Sequence, residues 1–420
     1  MTIKKPRGVN DFLPPITAKW RAVETLLHQM CAEYGFNEIR TPLFEETELF
    51  TRGVGENTDI VQKEMYTFQD QGGRSLTLRP EFTAALCRAY VENKMHGLPQ
   101  PQKLYSVGPL FRYERPQAGR FRQFHQFDIE VIGTLSPLAD VECIVFAWDF
   151  YSRLNIRGLT ARINSVGCPV CRAVYRSALQ EFLRPSLHEL CPSCQGRFER
   201  APMRVLDCKS EICRDISHDA PAITEYLCEE CAKHYETVKQ TLTACGIPYT
   251  TDSSLVRGLD YYTKTVFEIC ALGIGAQNAV CGGGRYDGLV EIVGGEHTPA
   301  IGVALGVERV FAALSAQNED IELEQGIDVF VVTDFEDAEA MKAAFKLAFS
   351  LRKSGVSTVM DYEEKSLKSQ LKTANRLQAA YAVIVGALEA AQDKAQVKDM
   401  TSGEQIEMPI EEVRQYLLER

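Results

Sequence analysis

No stretch of the 420-residue chain approaches the roughly 20 apolar residues that a membrane-spanning helix needs. The opening MTIKKPRGVNDFLPP carries charges with no apolar run of signal-peptide length behind them. Both absences argue against a membrane or secreted protein, so a cytoplasmic one is expected. Internal repeats and low-complexity tracts are missing, as are a Walker loop and a dinucleotide-binding turn. Excess basic charge is missing too, since the net charge is −11. That does not exclude a nucleic-acid partner, because phosphate contacts depend on local Lys and Arg rather than on the whole-chain balance.

What is present is ordinary in bulk, with 45% hydrophobic and 25% charged residues, as in a folded globular protein. The length exceeds what one core usually serves, so two or three domains are expected. Cysteine is the exception. Eight of the 14 lie between Cys168 and Cys231, as Cys168-Pro-Val-Cys171, Cys191-Pro-Ser-Cys194, Cys208, Cys213 and Cys228-Glu-Glu-Cys231. In a reducing compartment such pairs point to metal before disulfides.

Hydrophobic periodicity organises the chain. Trp20, Val23, Leu26, Leu27, Met30 and Tyr34 recur at helical steps, which predicts a helix ended by Gly35. Phe36 to Pro42 reads as a short strand. Tyr66 to Asp70 and Ser75 to Arg79 read as a hairpin, with a helix following from about Phe82 to Asn93. Lys103 to Val107, Leu110 to Arg115 and Phe124 to Ile132 add strands with no helix after each, which favours an α+β fold on a mainly antiparallel sheet. Residues 168–248 interrupt this pattern as a helical, cysteine-rich insertion, and strands resume at Val266 to Cys270 and Ala300 to Leu305. The polar, acidic stretch 317–326 reads as a linker. Residues 327–420 then alternate β-α-β-α-β and end in a helix from Ile410 to Leu418, which predicts a separate α/β domain.

Three segments carry polar groups suited to chemistry. In Gly108 to Glu130, strand alternation puts Arg112 and Glu114 on one face, and Gln126, Asp128 and Glu130 on one face of the return strand. His125, Phe127, Ile129 and Val131 take the other face, and the loop between the strands carries Arg115, Arg120 and Arg122. Two polar faces joined by an arginine-rich loop can hold a triphosphate beside a charged small molecule, although a solvated hairpin would look similar. Leu255 to Thr263 sets Arg257, Asp260 and two tyrosines in a short turn. Cys281-Gly-Gly-Gly-Arg-Tyr-Asp-Gly288 reads as a glycine loop that lets backbone approach a ligand. Ala300 to Arg309 reads as a strand entering a helix, with Arg309 in its first turns.

These residues carry a family resemblance. Phe111-Arg-Tyr-Glu114 with its arginine loop resembles motif two of class II aminoacyl-tRNA synthetases, Gly302 to Arg309 resembles motif three, and the helix ending near Thr41-Pro42 resembles motif one. Arg257-Gly-Leu-Asp-Tyr-Tyr262 and Gly282-Gly-Gly-Arg-Tyr-Asp287 are similar to the two signatures particular to histidyl-tRNA synthetases, and the resemblance covers essentially the whole chain. It implies a catalytic domain of residues 1–167 and 249–316, an insertion of residues 168–248, a linker of residues 317–326 and an anticodon-binding domain of residues 327–420. It implies activation of L-histidine with ATP and Mg²⁺, transfer to histidine tRNA, and a homodimer joined through motif one.

The resemblance also implies roles. Arg112 and Arg257 would be the catalytic arginines, aligning the α-phosphate and the attacking carboxylate. Glu114, Arg120, Phe124 and Arg309 would complete the ATP site with Arg112. Glu81, Thr83 and Gln126 would take the histidine ammonium, and Glu130 and Tyr262 the imidazole. Tyr261 and Tyr286 would wall the pocket. In the last domain Lys368, Lys372 and Arg376 recur every four residues, as a solvated helix face or as a tRNA contact. For the insertion, the expected zinc quartet is Cys168, Cys171, Cys191 and Cys194, with pairing to Cys228 and Cys231 equally open, and any such zinc would be structural. Two rivals remain at this stage: an inert regulatory paralogue of the kind that serves ATP phosphoribosyltransferase, and a class II synthetase for another amino acid.

Overall fold

The computed structural model describes residues 2–56, 58–116, 120–274, 278–323 and 326–419. Gln117 to Gly119 of the arginine loop, and Glu324 and Gln325 of the expected linker, lie outside the described residues. The chain forms two compact units, Met1–Ile321 and Glu322–Arg420.

The first unit is built on an eight-stranded sheet. Its strands run in the order Asn37–Glu38, Gln102–Phe111, Gln123–Ile132, Ala300–Gly306, Ala279–Arg285, Thr263–Cys270, Thr160–Ser165 and Tyr249–Thr251. The two outermost pairs are parallel and every inner pair is antiparallel. Alternation along these strands separates two faces. Phe127, Ile129, Val131, Ile163, Phe267, Ile301 and Val303 all point to one side and are buried there. The helix Pro137–Arg153 covers them with Val141, Ile144, Phe146, Ala147 and Phe150. Burying each such side chain contributes about 1.5–3 kcal/mol, so this face is where the sheet is fastened. The helix starts where Ser136 Oγ accepts from the Leu138 amide and Pro137 occupies its first turn. A second helix, Ile16–Tyr34, buries Trp20, Val23, Leu27, Met30 and Cys31 and ends at Gly35, whose φ of 74° is the left-handed cap that glycine adopts most easily.

Several sequence expectations change in detail. Gln102–Phe111 is one continuous strand rather than two, and it stops before Arg112, so Arg112 and Glu114 lie beyond the ladder. The Gly282 to Gly284 run is not a loop but the middle of the strand Ala279–Arg285, buried and paired on both sides. A short strand does form after the first helix, but it covers only Asn37–Glu38.

The cysteine-rich segment leaves the sheet after Thr160–Ser165 and returns at its parallel neighbour Tyr249–Thr251. Between them run the helices Pro169–Leu183, Pro192–Arg197, Glu211–Ser217 and Glu229–Ala244. The first three surround a small core of Tyr175, Leu179, Leu183, Leu190, Phe198 and Val205. The last instead sends Tyr235, Val238 and Leu242 into the main core.

The second unit holds a five-stranded sheet in the order Thr358–Met360, Ile327–Thr333, Ala379–Val385, Lys394–Asp399 and Gln405–Pro409. The first three strands are parallel, as their buried Val-rich runs and intervening helices Ala338–Lys353 and Leu367–Arg376 require. Periodicity missed the antiparallel pair Lys394–Asp399 and Gln405–Pro409, whose polar, half-exposed residues carry little hydrophobic signal.

Candidate active site

The uncovered face of the first sheet forms the floor of a cavity of about 590 Å³. One cross-strand row there reads Glu130, Gly302, Gly284, Val266, and the next reads Asp128, Ala304, Gly282, Glu268. The glycines in these rows leave room for their neighbours. A β-carbon on Gly302 would overlap the Glu130 carboxylate, one on Gly282 would overlap the Arg257 guanidinium, and one on Gly284 would press on the Tyr262 ring. The glycine signature therefore serves space rather than backbone freedom, since these residues sit in a paired strand.

Every residue expected to bind histidine lines this cavity: Glu81, Thr83, Gln126, Glu130, Arg257, Tyr261 and Tyr262. Glu130 is fully buried, and burial raises its carboxyl to about 8. It accepts hydrogen bonds from Thr83 Oγ1, at 2.8 Å, and from the Tyr286 hydroxyl. Glu81 is also buried and raised by burial; one oxygen accepts from the Ala84 amide at 2.9 Å, and Oε2 has no partner. Arg257 lies across the floor with Nη1 donating to Glu268 at 2.6 Å and its Nε buried without a partner. Burial opposes its charge, but Tyr262 and Glu268 outweigh that effect and hold the guanidinium protonated.

The residues expected to bind ATP line an adjoining cavity of about 290 Å³: Arg112, Glu114, Arg120, Phe124 and Arg309. Arg112 stacks its guanidinium over the Phe124 ring at 5.2 Å, and Arg120 pairs with Glu114 at 3.1 Å. Burial, and then the charge of Arg120, hold the Arg309 pKa below its usual value. Arg112, Gln126, Arg257 and Gly282 border both cavities, so the two spaces meet between the two arginines named as catalytic. The acidic groups lining this second cavity, Glu114, Glu268 and Glu308, are already engaged by Arg120, Arg257 and His125. No preformed acidic cage is needed for Mg²⁺, which is ordinarily held by phosphates and water with few protein ligands.

Sequence reasoning gave no role in the site to two residues, Asp128 and Glu268. Asp128 is buried, raised well above the carboxylate range by burial and by the nearby Glu130 and Glu81, and has an unpartnered Oδ1 facing the group. Its alternation with Gln126 and Glu130 was the available signal. Glu268 holds Arg257, and its place in a strand was visible but its partner was not. Tyr286 lines the cavity as expected and also donates to Glu130. Beneath the site, the signature arginine Arg285 is fully buried in ion pairs with Asp140 and Asp287, and Asp140 also meets His234 at 2.7 Å. Arg285 thus anchors the strand rather than a substrate.

Of the two pairings that the sequence left open, the quartet of Cys168, Cys171, Cys191 and Cys194 does not form, and the one with Cys228 and Cys231 does. Cys168 and Cys171 lie with Cys228 and Cys231, while Cys191 and Cys194 lie with Cys208 and Cys213; within each group the sulfurs are all within 4.8 Å of one another. Spacing left the choice open, and the fold decides it by bringing the start of the insertion against the start of its last helix, Glu229–Ala244. Both groups could hold a metal ion. In the second unit, Lys368, Lys372 and Arg376 are all exposed on the helix Leu367–Arg376, and none pairs with a carboxylate among the described residues. Among the described residues no helix is long and apolar enough to cross a membrane.

Comparison with known proteins agrees with this geometry. The sequence model of histidyl-tRNA synthetases matches residues 8–192 and 204–310, and that of an anticodon binding domain matches residues 328–420. A histidine–tRNA ligase of Desulfitobacterium hafniense is 51% identical over 420 residues, covering 100% of this chain and 99% of its own. Another, from Pelotomaculum thermopropionicum, is 51% identical and covers 100% and 98%. The solved apo histidyl-tRNA synthetase of S. aureus matches with a TM-score of 0.85 at 40% identity, covering 99% of this chain and 100% of that one. An ATP phosphoribosyltransferase regulatory subunit/histidyl-tRNA synthetase of Bacillus halodurans, at 21% identity and a TM-score of 0.65, shares the fold alone. With both histidine signatures folded into one cavity and relatives aligned from end to end, this chain belongs to the histidyl-tRNA synthetase family.

Proposed function

We propose that this chain is a working histidine–tRNA ligase, which activates L-histidine with ATP to histidyl-adenylate and pyrophosphate and then esterifies the 3′ end of histidine tRNA. The observation that carries this reading is the junction of the two cavities. Glu81, Asp128 and Glu130 gather buried acidic acceptors in one cavity, Phe124 and Arg309 line the other, and Arg112, Arg120 and Arg257 border both.

Activation joins two anions: a carboxylate oxygen attacks the α-phosphorus of ATP, and the bond to the pyrophosphate oxygen breaks. No protein nucleophile is needed, so catalysis rests on alignment and charge stabilisation. Arg257 and Arg112 supply fixed donors to the α-phosphate and the attacking carboxylate, and as guanidiniums they stay charged. Arg120 and Arg309 meet the remaining phosphates, Phe124 and Glu114 the adenine, and Mg²⁺ supplies further neutralisation on the β- and γ-phosphates. Glu81, with Thr83, Gln126 and the newly recognised Asp128, accepts from the substrate ammonium. A cation there relieves the crowding of three buried acids. Glu130 and Tyr262 address the two imidazole nitrogens, one a donor and one an acceptor in the neutral ring. A site of buried polar partners rejects isosteres that lack them. This pairing disfavours a synthetase for another amino acid, and the intact arginine cavity disfavours an inert regulatory paralogue.

The cytoplasm suits this reading, since reduced thiols persist there. Zinc held in the insertion would be structural. Residues 327–420 would bind the anticodon arm, with Lys368, Lys372 and Arg376 toward phosphates. The active form would be a homodimer joined near Thr41-Pro42. Arg79 fastens that segment by donating to Thr41 O at 2.8 Å and Pro42 O at 3.3 Å, and the adjacent Leu43, Phe44 and Phe68 are exposed apolar groups. Light scattering is expected to find a dimer; a stable, fully active monomer would overturn that part. The main test is amino-acid-dependent pyrophosphate exchange over a panel of amino acids. Exchange with histidine alone is expected, and none with histidine would refute the proposal.

A further inference from the structure

We propose that the insertion holds two zinc ions per chain, one in Cys168, Cys171, Cys228 and Cys231 at its neck and one in Cys191, Cys194, Cys208 and Cys213 beside the reaction pocket, and that the second ion positions a wall of that pocket.

Sulfur geometry comes first. A tetrahedral zinc with Zn–S bonds of about 2.3 Å sets its thiolates about 3.8 Å apart, whereas a disulfide brings them to about 2.05 Å. The sulfurs of Cys168 and Cys171 are 3.5 Å apart, those of Cys168 and Cys228 4.0 Å, and those of Cys191 and Cys208 3.8 Å. All four sulfurs in each group lie within 4.8 Å, a space for one ion rather than for an iron–sulfur cluster.

Local backbone geometry sets the sulfurs in place. Cys168, Cys191 and Cys228 each stand immediately before a helix, and Cys171, Cys194 and Cys231 lie in its first turns. The amide-rich ends of the two longer helices, Pro169–Leu183 and Glu229–Ala244, stabilise negative charge beside the neck group. The Cys228 amide donates to Cys171 Sγ at 3.1 Å, and the Cys191 amide to Cys213 Sγ at 3.2 Å. In each group two cysteines are buried and two half-buried, which leaves a path for the ion. Next to the neck, Gly167 holds a left-handed φ of 64°, and a β-carbon there would collide with Cys171. Binding would displace thiol protons to solvent, with no change of oxidation state.

The two ions do different work. The neck group joins the exit of the chain after Thr160–Ser165 to the start of the helix Glu229–Ala244, which packs on the main core. The second group staples a segment whose Asp207, Cys208 and Lys209 line the histidine cavity. Arg204 in the same segment donates to Gly258 O at 3.0 Å and to Asp260 Oδ1 at 2.7 Å, inside the turn that carries Arg257, Tyr261 and Tyr262. The same segment also sends Val205 and Leu206 into the small core around Tyr175 and Leu179, so the ion adds to that packing. Its positioning role rests on the ligase reading, whereas the metal count does not.

Full-length protein purified without chelator is expected to contain two zinc ions per chain. Cys168→Ser and Cys213→Ser should each lose one of them. Cobalt replacement should give tetrathiolate charge-transfer and ligand-field bands for two sites. In histidine-dependent exchange, Cys213→Ser should raise KM for histidine about tenfold or more with kcat moved less, while Cys168→Ser stays within about threefold. If Cys213→Ser fails to fold, zinc removal from the wild type by chelator and its return should raise and restore the same KM. One shared zinc lost from both variants, iron in place of zinc, or metal-free protein that is folded and active would overturn the two-site assignment. A histidine KM indifferent to the second zinc would overturn the positioning role. No histidine exchange in wild type carrying both zincs would count against the ligase reading alone.

Discussion

Gly302 stands directly opposite Glu130 on the neighbouring strand, and the Glu130 carboxylate occupies the space that a side chain on Gly302 would fill. A feature read from sequence as motif three is therefore also a steric condition on the histidine pocket. Gly302→Ala should push Glu130 away from Thr83 and Tyr286. Histidine-dependent exchange is expected to lose roughly 100-fold or more in kcat/KM, as when a polar pocket loses a matched partner. Circular dichroism would check that the fold persists. Near-normal kcat/KM in a folded variant would mean that Glu130 tolerates displacement.

Arg257 tests the chemical step. Removing a donor that acts in the transition state typically costs about 100-fold or more, so Arg257→Ala should slow adenylate formation at saturating histidine by at least that factor. Histidine affinity should change much less. Arg257→Lys restores charge but not the planar fork, and is expected to recover only part of the rate. Loss confined to histidine affinity, with single-turnover activation intact, would make Arg257 a binding residue only.

The Glu130 carboxyl gives a signed pH effect. Burial raises it from 4.5 to about 8, so across that window the folded chain holds a proton that the unfolded chain has released. Its contribution to stability is complete below the ordinary glutamate pKa and is lost as pH rises through about 8. Glu130→Gln removes this dependence. From about pH 5 to about pH 9, the melting temperature of the wild type should therefore fall more steeply than that of Glu130→Gln. Parallel curves would show that Glu130 titrates as an ordinary surface glutamate.

The two compact units suggest a truncation. Protein ending at Ile321 should keep histidine-dependent exchange and lose most aminoacylation, because the helix bearing Lys368, Lys372 and Arg376 is gone. In the full chain, charge reversal at these three positions should weaken tRNA binding and flatten its salt dependence, by about one unit of slope for each lost phosphate contact. Unchanged tRNA affinity at every salt concentration would leave that helix face merely solvated.

Much of this protein was legible in one dimension. The helix from Ile16 to Tyr34, the polar face of Gln126, Asp128 and Glu130, and the alternation after residue 327 follow from local periodicity. Periodicity survives because burial acts on one face of each element at a time. The histidine signatures were legible as words, and Arg257, Tyr261, Tyr262, Gly282 and Tyr286 from them do meet in one cavity. Their physical reasons were not. Gly282 to Gly284 read as a loop because glycine usually marks one; only the register across three strands makes them the space for Arg257 and Tyr262. The cysteines gave the same lesson more sharply. Spacing left two pairings open for Cys168 and Cys171; the helix Glu229–Ala244, which crosses back along the main core between parallel strands, begins beside them and makes Cys228 and Cys231 their partners. The chain order determined which groups were available. The return of the chain to its own sheet edge decided which of them meet, because contacts between distant residues depend on strand pairing and core packing that no local pattern encodes.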